Sequence, residues 1–446
     1  MTILAHIRSY TPEPLITLYH WCLAYAAAAW YRFPSDQLVV IGVTGTNGKT
    51  TTSYFIAKAL EATGLKVGCT STALLKIADR EWINSTKMTM PGRFFLQSML
   101  RKMADEGCTH VVLETSSQGI VQHRHAAVAY DVAVFTNLTP EHIESHGGFE
   151  NYKKAKKVLF DHVAHRPKKM INELYIPTAF VLNAESEYAP FYADTRPAVD
   201  RLQWYGIDDA HEGLRAENVV LSGAGSDARV QDIAVHVSLP GRFNVENALA
   251  ALATVHVLGC NLKAAAAGLA RVTRVPGRME RVEEGQTWTT IVDYAPEPES
   301  LRRLYDALTL IPHKRLIHVL GSCGGGRDSA RQPILGQMAG NHADIVIVTN
   351  EDPYDDDPWE IIHRVADGAK TQGKEEEKTL YQILDRREAI QKAMLLAQPE
   401  DLVLMTGKAC EPWMCLANGQ KIPWDEVQTA REAIREALAK KEVLQA

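Results

Sequence analysis

The sequence contains no C-x-x-C pair: its seven cysteines, Cys22, Cys69, Cys108, Cys260, Cys323, Cys410 and Cys415, are scattered over 446 residues. That scatter gives neither a zinc ribbon nor a disulfide framework, so a reducing cytoplasm is the expected location. Positive charge is not in excess either. With a formal net charge of −6 there is no broad basic surface for nucleic acid, and anionic ligands must be held by local devices. The N-terminus lacks the basic segment, short apolar run and small-residue cleavage site of a secretory signal. Short-period repeats and low-complexity tracts are missing too, and the charged run KEEEK from Lys374 reads as a solvated loop or helix end.

Long apolar runs are nearly absent. Residues 14–31, PLITLYHWCLAYAAAAWY, carry no formal charge, but five alanines, Thr17 and His20 dilute the segment and its aromatic residues are spread along it. The pattern predicts a helix packed on the protein itself. Membrane contact through residues 14–31 is the less favoured reading.

What is present is ordinary globular composition, 46% apolar and 23% charged, in a chain longer than one domain needs. Two or three cores with a cleft between them are expected. From Gln37 onward β-branched runs alternate with amphipathic helical patterns: LVVIGVTG is followed by TTSYFIAKALEATG, and THVVLETSS, DVAVFTNL, TTIVDYA, RLIHVLGS, ADIVIVTNED and DLVLMTG each end in polar residues or glycine. This is the signature of α/β domains with mostly parallel sheets, whose ligands gather at the carboxyl ends of strands. An alanine-rich helical stretch followed by VPGR separates two series of strands. The expected division is a short helical segment over 1–38, one domain over 39–275 and a second over 276–446.

Between the first strand and helix lies Gly42-Val-Thr-Gly-Thr-Asn-Gly-Lys-Thr-Thr51. In that context free backbone N–H groups and the helix dipole face phosphate oxygens, Lys49 supplies a point charge, and Thr50 a magnesium-ligating hydroxyl. Gly45, Thr46, Asn47, Gly48 and Thr51 complete the expected ATP cradle. A six-residue step back from Lys49 reaches Val43 instead of glycine, so the loop is a G-x-x-G-T-N-G-K-T-T variant. Such a loop establishes nucleotide binding and leaves the reaction open.

GTNGKTT, ETSSQG from Glu114, FTNLTPEH ending at His142, and YKKAK ending at Lys156 resemble, in order, the motifs of the Mur ligase central domain. LPGRFNVENALAALA, VPGRME, DYAPEP, GSCGGGRD and GKACE extend the resemblance over roughly nine-tenths of the chain. It is nearest to the members that add the third residue of the peptidoglycan stem peptide. The resemblance implies a P-loop central domain, a C-terminal Rossmann-like α/β domain, and an ATP- and Mg2+-dependent ligase joining a muramoyl-peptide carboxylate to a free amino acid. Such a reaction needs phosphoryl transfer to the carboxylate and then attack by a neutral amine.

By the same resemblance Lys49, Glu114, His142 and Lys156 are catalytic, and Thr50, Glu114, His142 and a carbamylated Lys156 hold magnesium. Asn244, Asn247, Arg278 and Asp293 close on the nucleotide. Thr89, Ser116, Gln122 and Arg124 match acceptor contacts, and Arg327, Asp352, Tyr354, Gly407 and Glu411 match the amino-acid site. Read alone, Asn244 and Asn247 also suit a helix start, Glu114 a loop, and Lys156 an exposed helical face.

Several positions depart from the family. Gln118 and Pro296 stand where histidine is usual, Glu141 where aspartate is usual, and Glu351-Asp-Pro-Tyr354 lacks the arginine of diaminopimelate-adding members. Asp355 to Asp357 form an acidic rim that favours a basic amino acid, or else cap the following helix. Fewer than fifty residues precede the P-loop, too few for the usual UDP-reading domain, so a related ligase acting on a non-UDP acceptor such as poly-glutamate, folate or a lipid-linked wall precursor is the alternative.

Overall fold

The computed structural model describes residues 12–140, 146–208, 213–326 and 329–445, so His142 and Arg327, both expected at the site, lie outside the described residues. The first described helix, α1 (Glu13–Trp30), begins with Pro14 in its first turn, where the missing N–H costs nothing. Its Ala24 and Ala28 bury against Ala127, while Leu15, Leu18, Tyr19 and Trp30 stay exposed. Among the described residues no helix is long and apolar enough to cross a membrane.

The first large unit runs through β1 (Val39–Thr44), α2 (Lys49–Ala62), β2 (Val67–Thr70), β3 (Leu74–Ile77), β4 (Arg80–Ile83), α3 (Arg93–Asp105), β5 (His110–Glu114), α4 (Ser117–Val121) and β6 (Val132–Phe135). It continues through α5 (Phe149–Ala164), the hairpin β7 (Lys169–Ile171) and β8 (Leu174–Ile176), then β9 (Ala179–Asn183), α6 (Ala189–Ala193), β10 (Arg201–Gly206), β11 (Gly213–Ser222), β12 (Gly225–Val230) and β13 (Ile233–Val237). Helices α7 (Arg242–Val257) and α8 (Leu262–Ala270) end it.

Its sheet has the order β13-β12-β11-β10-β9-β6-β1-β5-β2-β3-β4, parallel from β11 to β2 and antiparallel at both ends. Strand β1 is buried throughout because successive side chains serve opposite faces: Ile41 and Val43 pack with α2 and α7, Val40 with α3 and α5. The result places the carboxyl ends of β1, β5 and β6 side by side.

The second unit comprises β14 (Glu280–Arg281), β15 (Thr289–Asp293), α9 (Pro298–Leu308), β16 (Leu316–Leu320), α10 (Arg331–His342), β17 (Ile345–Thr349), α11 (Pro358–Lys370), β18 (Leu380–Ile383), α12 (Arg386–Leu396) and β19 (Leu402–Thr406). A hairpin, β20 (Trp413–Cys415) and β21 (Lys421–Pro423), and the helix α13 (Glu426–Gln445) follow. The sheet order β14-β15-β19-β16-β17-β18 is parallel except at β14, with separate cores on its two faces. The chain changes sheet between α8 and β14, on either side of Val275. Both α/β units therefore present strand carboxyl ends to a shared cleft.

Candidate active site

Strand β1 ends at Thr44 and the chain turns through glycines that the geometry requires. A Cβ on Gly45 would lie 1.9 Å from Thr136 Oγ1, and Gly48, at φ 80°, would set one 2.4 Å from Asn247 Oδ1. Residues just after β6 fix the loop: Thr46 N donates to Asn137 O at 2.8 Å, Asn47 N to Asn137 Oδ1 at 2.9 Å, and Thr136 Oγ1 to Asn47 O at 2.7 Å. Helix α2 then starts at Lys49, whose Nζ donates to Thr46 O at 2.7 Å. A backbone held open at a helix N-terminus with an adjacent ammonium is an anion site.

Thr50 Oγ1 donates to Glu114 Oε2 at 3.0 Å, and the same oxygen accepts Thr72 N at 2.7 Å. Glu114 reaches this point because it closes β5 in register with Val43 of β1. A carboxylate and a hydroxyl beside a phosphate cradle are hard oxygen donors of the kind Mg2+ takes, so Glu114 and Thr50 could hold that ion. Of the four lysines in the KKAKK run only Lys156 is buried; Lys154 is exposed, and Lys153 and Lys157 are half-buried. Its Nζ donates to Gly45 O at 2.7 Å and lies 4.2 Å from the centre of the Tyr152 ring. The structure thus brings Lys49, Thr50, Glu114 and Lys156 together, while the position of His142 is outside the described residues.

The residues expected at the nucleotide come from both units. Asn247 Oδ1 accepts Thr52 Oγ1 at 3.1 Å, which ties the start of α7 to the P-loop helix, while Asn244 accepts Asn247 Nδ2 at 3.3 Å and donates to Pro240 O at 2.8 Å. Arg278, 4.8 Å over the Tyr294 ring, donates through Nη2 to Thr50 Oγ1 at 3.1 Å. Asp293 accepts Met279 N at 2.7 Å and Ala295 N at 2.9 Å, which fixes the turn that carries Arg278. Burial raises its carboxyl above the ordinary range, and Arg278 opposes that rise.

The acceptor candidates sit beside Glu114. Ser116 caps α4, its Oγ accepting Gly119 N at 3.2 Å. Arg124 donates through Nη2 to Gln122 Oε1 at 2.6 Å and also contacts Met90 O, while Thr89 accepts from Thr72 Oγ1 at 2.9 Å. A cleft of about 670 Å³ joins Lys49, Glu114, Lys156, Thr89, Ser116 and Arg124 to Arg278, Asp293, Tyr354 and Glu411 of the second unit. Gln122 does not line it and acts by holding Arg124.

Gly407 and Asp352, expected at the amino-acid site, are also not in the cleft wall. Gly407 is at φ 104°, where a Cβ would fall 2.3 Å from Glu351 Oε2, so its glycine serves local packing. Asp352 lies beneath the wall, accepting Lys408 Nζ at 3.0 Å and Cys415 N at 2.7 Å and pairing with Lys87. Glu411, which does line the cleft, pairs with Lys408 at 2.8 Å and with Lys87 at 3.0 Å. Burial would raise the Asp352 carboxyl, but Lys408 and Lys87 outweigh it and hold the group below the usual carboxylate range. Burial acts to lower Lys87, and the two carboxylates overcome it and push the ammonium upward.

The acidic rim engages the backbone: Asp355 accepts Asn418 N at 2.7 Å, Asp356 accepts Gly325 N at 2.9 Å, and Asp357 caps α11 through Trp359 N at 2.9 Å. Capping, one of the two roles expected, holds for Asp357, whereas Asp355 and Asp356 tie down the loops at Asn418 and Gly325. Sequence reasoning missed Lys87 and Lys408. Lys408 stood inside the GKACE motif, whereas Lys87, at φ 55° in a loop, carried no local signal.

Residues 43–255 match the Mur ligase middle domain, and residues 277–409 match the family described as Mur ligase, glutamate ligase domain. The chain is 38% identical over 424 residues, 93% of its length and 82% of the relative's, to a UDP-N-acetylmuramyl-tripeptide synthetase of Roseiflexus sp. (strain RS-1). It is 36% identical over 430 residues, 95% of its length and 84% of the relative's, to a UDP-N-acetylmuramoyl-L-alanyl-D-glutamate--2,6-diaminopimelate ligase of Geobacillus kaustophilus (strain HTA426). A solved diaminopimelate ligase of the same description aligns at TM-score 0.58 and 30% identity, covering 90% of this chain and 78% of that one. A Mycobacterium tuberculosis folylpolyglutamate synthase complexed with ADP and AMPPCP aligns at TM-score 0.65 and 17% identity, over 87% and 92% of the two chains, a likeness of fold.

Proposed function

Because this chain belongs to the Mur ligase family and is an ATP-dependent ligase, we propose that it joins a diamino acid to the free carboxylate of a muramoyl-dipeptide in the cytoplasm, in peptidoglycan precursor synthesis. The observation that carries this reading is one cleft that connects the phosphate loop, the Ser116–Arg124 region and Glu411. A bare nucleotide-binding protein has no need of that continuity. The relatives' names place UDP on the acceptor, and we extend that carrier to this chain.

Chemistry then follows from charge. The acceptor carboxylate and the γ-phosphate repel each other, so cations must bring them together before the carboxylate oxygen can attack phosphorus and release ADP. Lys49 and the N–H groups at the start of α2 hold the phosphates, and Arg124 holds the acceptor by a forked contact. Thr50, Glu114 and His142, with Lys156 after addition of carbon dioxide to its neutral amine and loss of a proton, are the proposed Mg2+ ligands. When bound, the ion would neutralise charge between the two phosphoryl partners. Arg278 and Asp293 of the second unit close on the nucleotide against Asn244 and Asn247 of the first, which excludes water from an acyl phosphate. The neutral amine then attacks the acyl carbon, and phosphate leaves.

The test is product formation. Incubating the chain with ATP, Mg2+, UDP-N-acetylmuramoyl-alanyl-glutamate and a diamino acid should yield the amide adduct by mass spectrometry. A product seen only with a non-nucleotide acceptor would redirect the reading to another branch of the family.

A further inference from the structure

Lys87 belongs to the first unit, in the loop between β4 and α3, yet its ammonium lies in the second. It pairs with Asp352 and with Glu411 Oε2, the latter at 3.0 Å, and it also donates to Trp413 O at 3.4 Å. The loop itself is docked by Trp413 Nε1, which donates to Ser85 O at 3.2 Å. Four charges meet here, and they are layered. Asp352 and Lys408 are 1% and 0% exposed and neutralise each other below the surface; Lys87 and Glu411, each 10% exposed, face the cleft beside Tyr354.

That layering leaves one ammonium and one carboxylate of opposite sign, 3.0 Å apart, at the end of the cleft assigned to the incoming amino acid. A ligand ending in a lone ammonium gains Glu411 but meets repulsion from Lys87. A ligand ending in a lone carboxylate meets the reverse. A terminal carbon bearing both groups satisfies the two side chains together and adds no net charge to a desolvated site.

We propose that Lys87 is the specificity-determining cation of the amino-acid pocket: it pairs with the distal carboxylate of a diamino dicarboxylic acid while Glu411 takes the distal ammonium. This rests on the ligase reading above. Because Lys87 arrives from the opposite unit, the pocket is complete only when the two units are closed. Selection of the amine is thereby coupled to closure, and Thr89 and Met90 of the same loop carry that closure to the acceptor side, where Met90 O contacts Arg124.

The test compares meso-2,6-diaminopimelate with L-lysine, which differs by the distal carboxylate alone, in the full chain, Lys87→Met and Lys87→Arg. The unaltered chain should prefer diaminopimelate. Lys87→Met should raise the KM for diaminopimelate by about tenfold or more, as loss of a charged hydrogen bond does, while kcat/KM for lysine holds or rises. Lys87→Arg should keep the original preference. Retained turnover of lysine shows that the methionine variant is folded; if it is not, Lys87→Gln carries the same comparison. A parallel fall with both amines, an unchanged preference, or an unaltered chain that prefers lysine would overturn the proposal. An unaltered chain that turns over no amine at all would instead overturn the ligase reading on which it rests.

Discussion

Arg278 Nη2 donates to Thr50 Oγ1 across 3.1 Å, so the second unit touches the first turn of the P-loop helix directly. The same hydroxyl reaches Glu114 at 3.0 Å, which makes Thr50 the meeting point of β5, α2 and the turn after Val275. A single side chain thus joins the second unit to the phosphate loop.

Arg278→Ala should therefore lower kcat/KM for ATP by about 100- to 1,000-fold, the range for removing one positioned donor at a developing anion. Steady-state ADP release at varied ATP checks this, and a value within twofold of the unaltered chain would remove Arg278 from the site.

Glu114→Gln keeps the shape of the side chain and an oxygen for Thr50 and Thr72 but removes the charge. We expect kcat to fall by about 100-fold or more while nucleotide binding persists, with a higher Mg2+ requirement for the remaining turnover. Isothermal titration with ADP beside a Mg2+ titration of rate separates the two effects.

Gly48→Ala places a methyl at φ 80° and 2.4 Å from Asn247 Oδ1. The left-handed backbone alone costs about 1–2 kcal/mol, and Asn247 must leave its bond to Thr52 to make room. The expected outcome is weakened ATP binding larger than the loss of melting temperature would explain; unchanged affinity would show that the loop can relax.

The phosphate end was legible in the sequence because it is built from local signals: a strand, a glycine turn and a helix start place Lys49 and Thr50 without reference to distant residues. Glu114 was legible too, since a polar residue at the end of an apolar run marks the carboxyl end of a buried strand. The ion pairs of Lys87 were not. They join residues about 265 and 324 positions apart in the chain, and nothing in NSTKMTMPG distinguishes that lysine from a solvated one. The backbone partners of Asp355 and Asp356 were not legible for a related reason, because Asn418 and Gly325 are brought near only by folding.

Lys156→Met should abolish turnover, and the unmodified enzyme should respond to bicarbonate if its amine is carbamylated. Depleting dissolved carbon dioxide is expected to reduce the rate reversibly. A rate indifferent to bicarbonate, with an intact-protein mass free of the adduct, would refute that modification.

His318 is fully buried between Tyr305 OH at 2.8 Å and Thr406 Oγ1 at 3.0 Å, and burial lowers its pKa from 6.5 to about 3. A depressed value means that the unfolded chain binds the proton first. Its stabilising contribution is therefore full above pH 6.5 and declines by about 1.4 kcal/mol per pH unit as pH falls toward the folded value. Denaturation between pH 7 and 4 should show a shallower slope in His318→Gln than in the unaltered chain; equal slopes would mean that the folded imidazole takes up its proton as readily as the unfolded one.

The most direct test of the account is ADP release by the purified chain with UDP-N-acetylmuramoyl-alanyl-glutamate present, measured with and without diaminopimelate. Release should depend on both acceptor and amine, with one ADP for each amide formed. ATP hydrolysis indifferent to both would contradict it, as would nucleotide binding with no turnover.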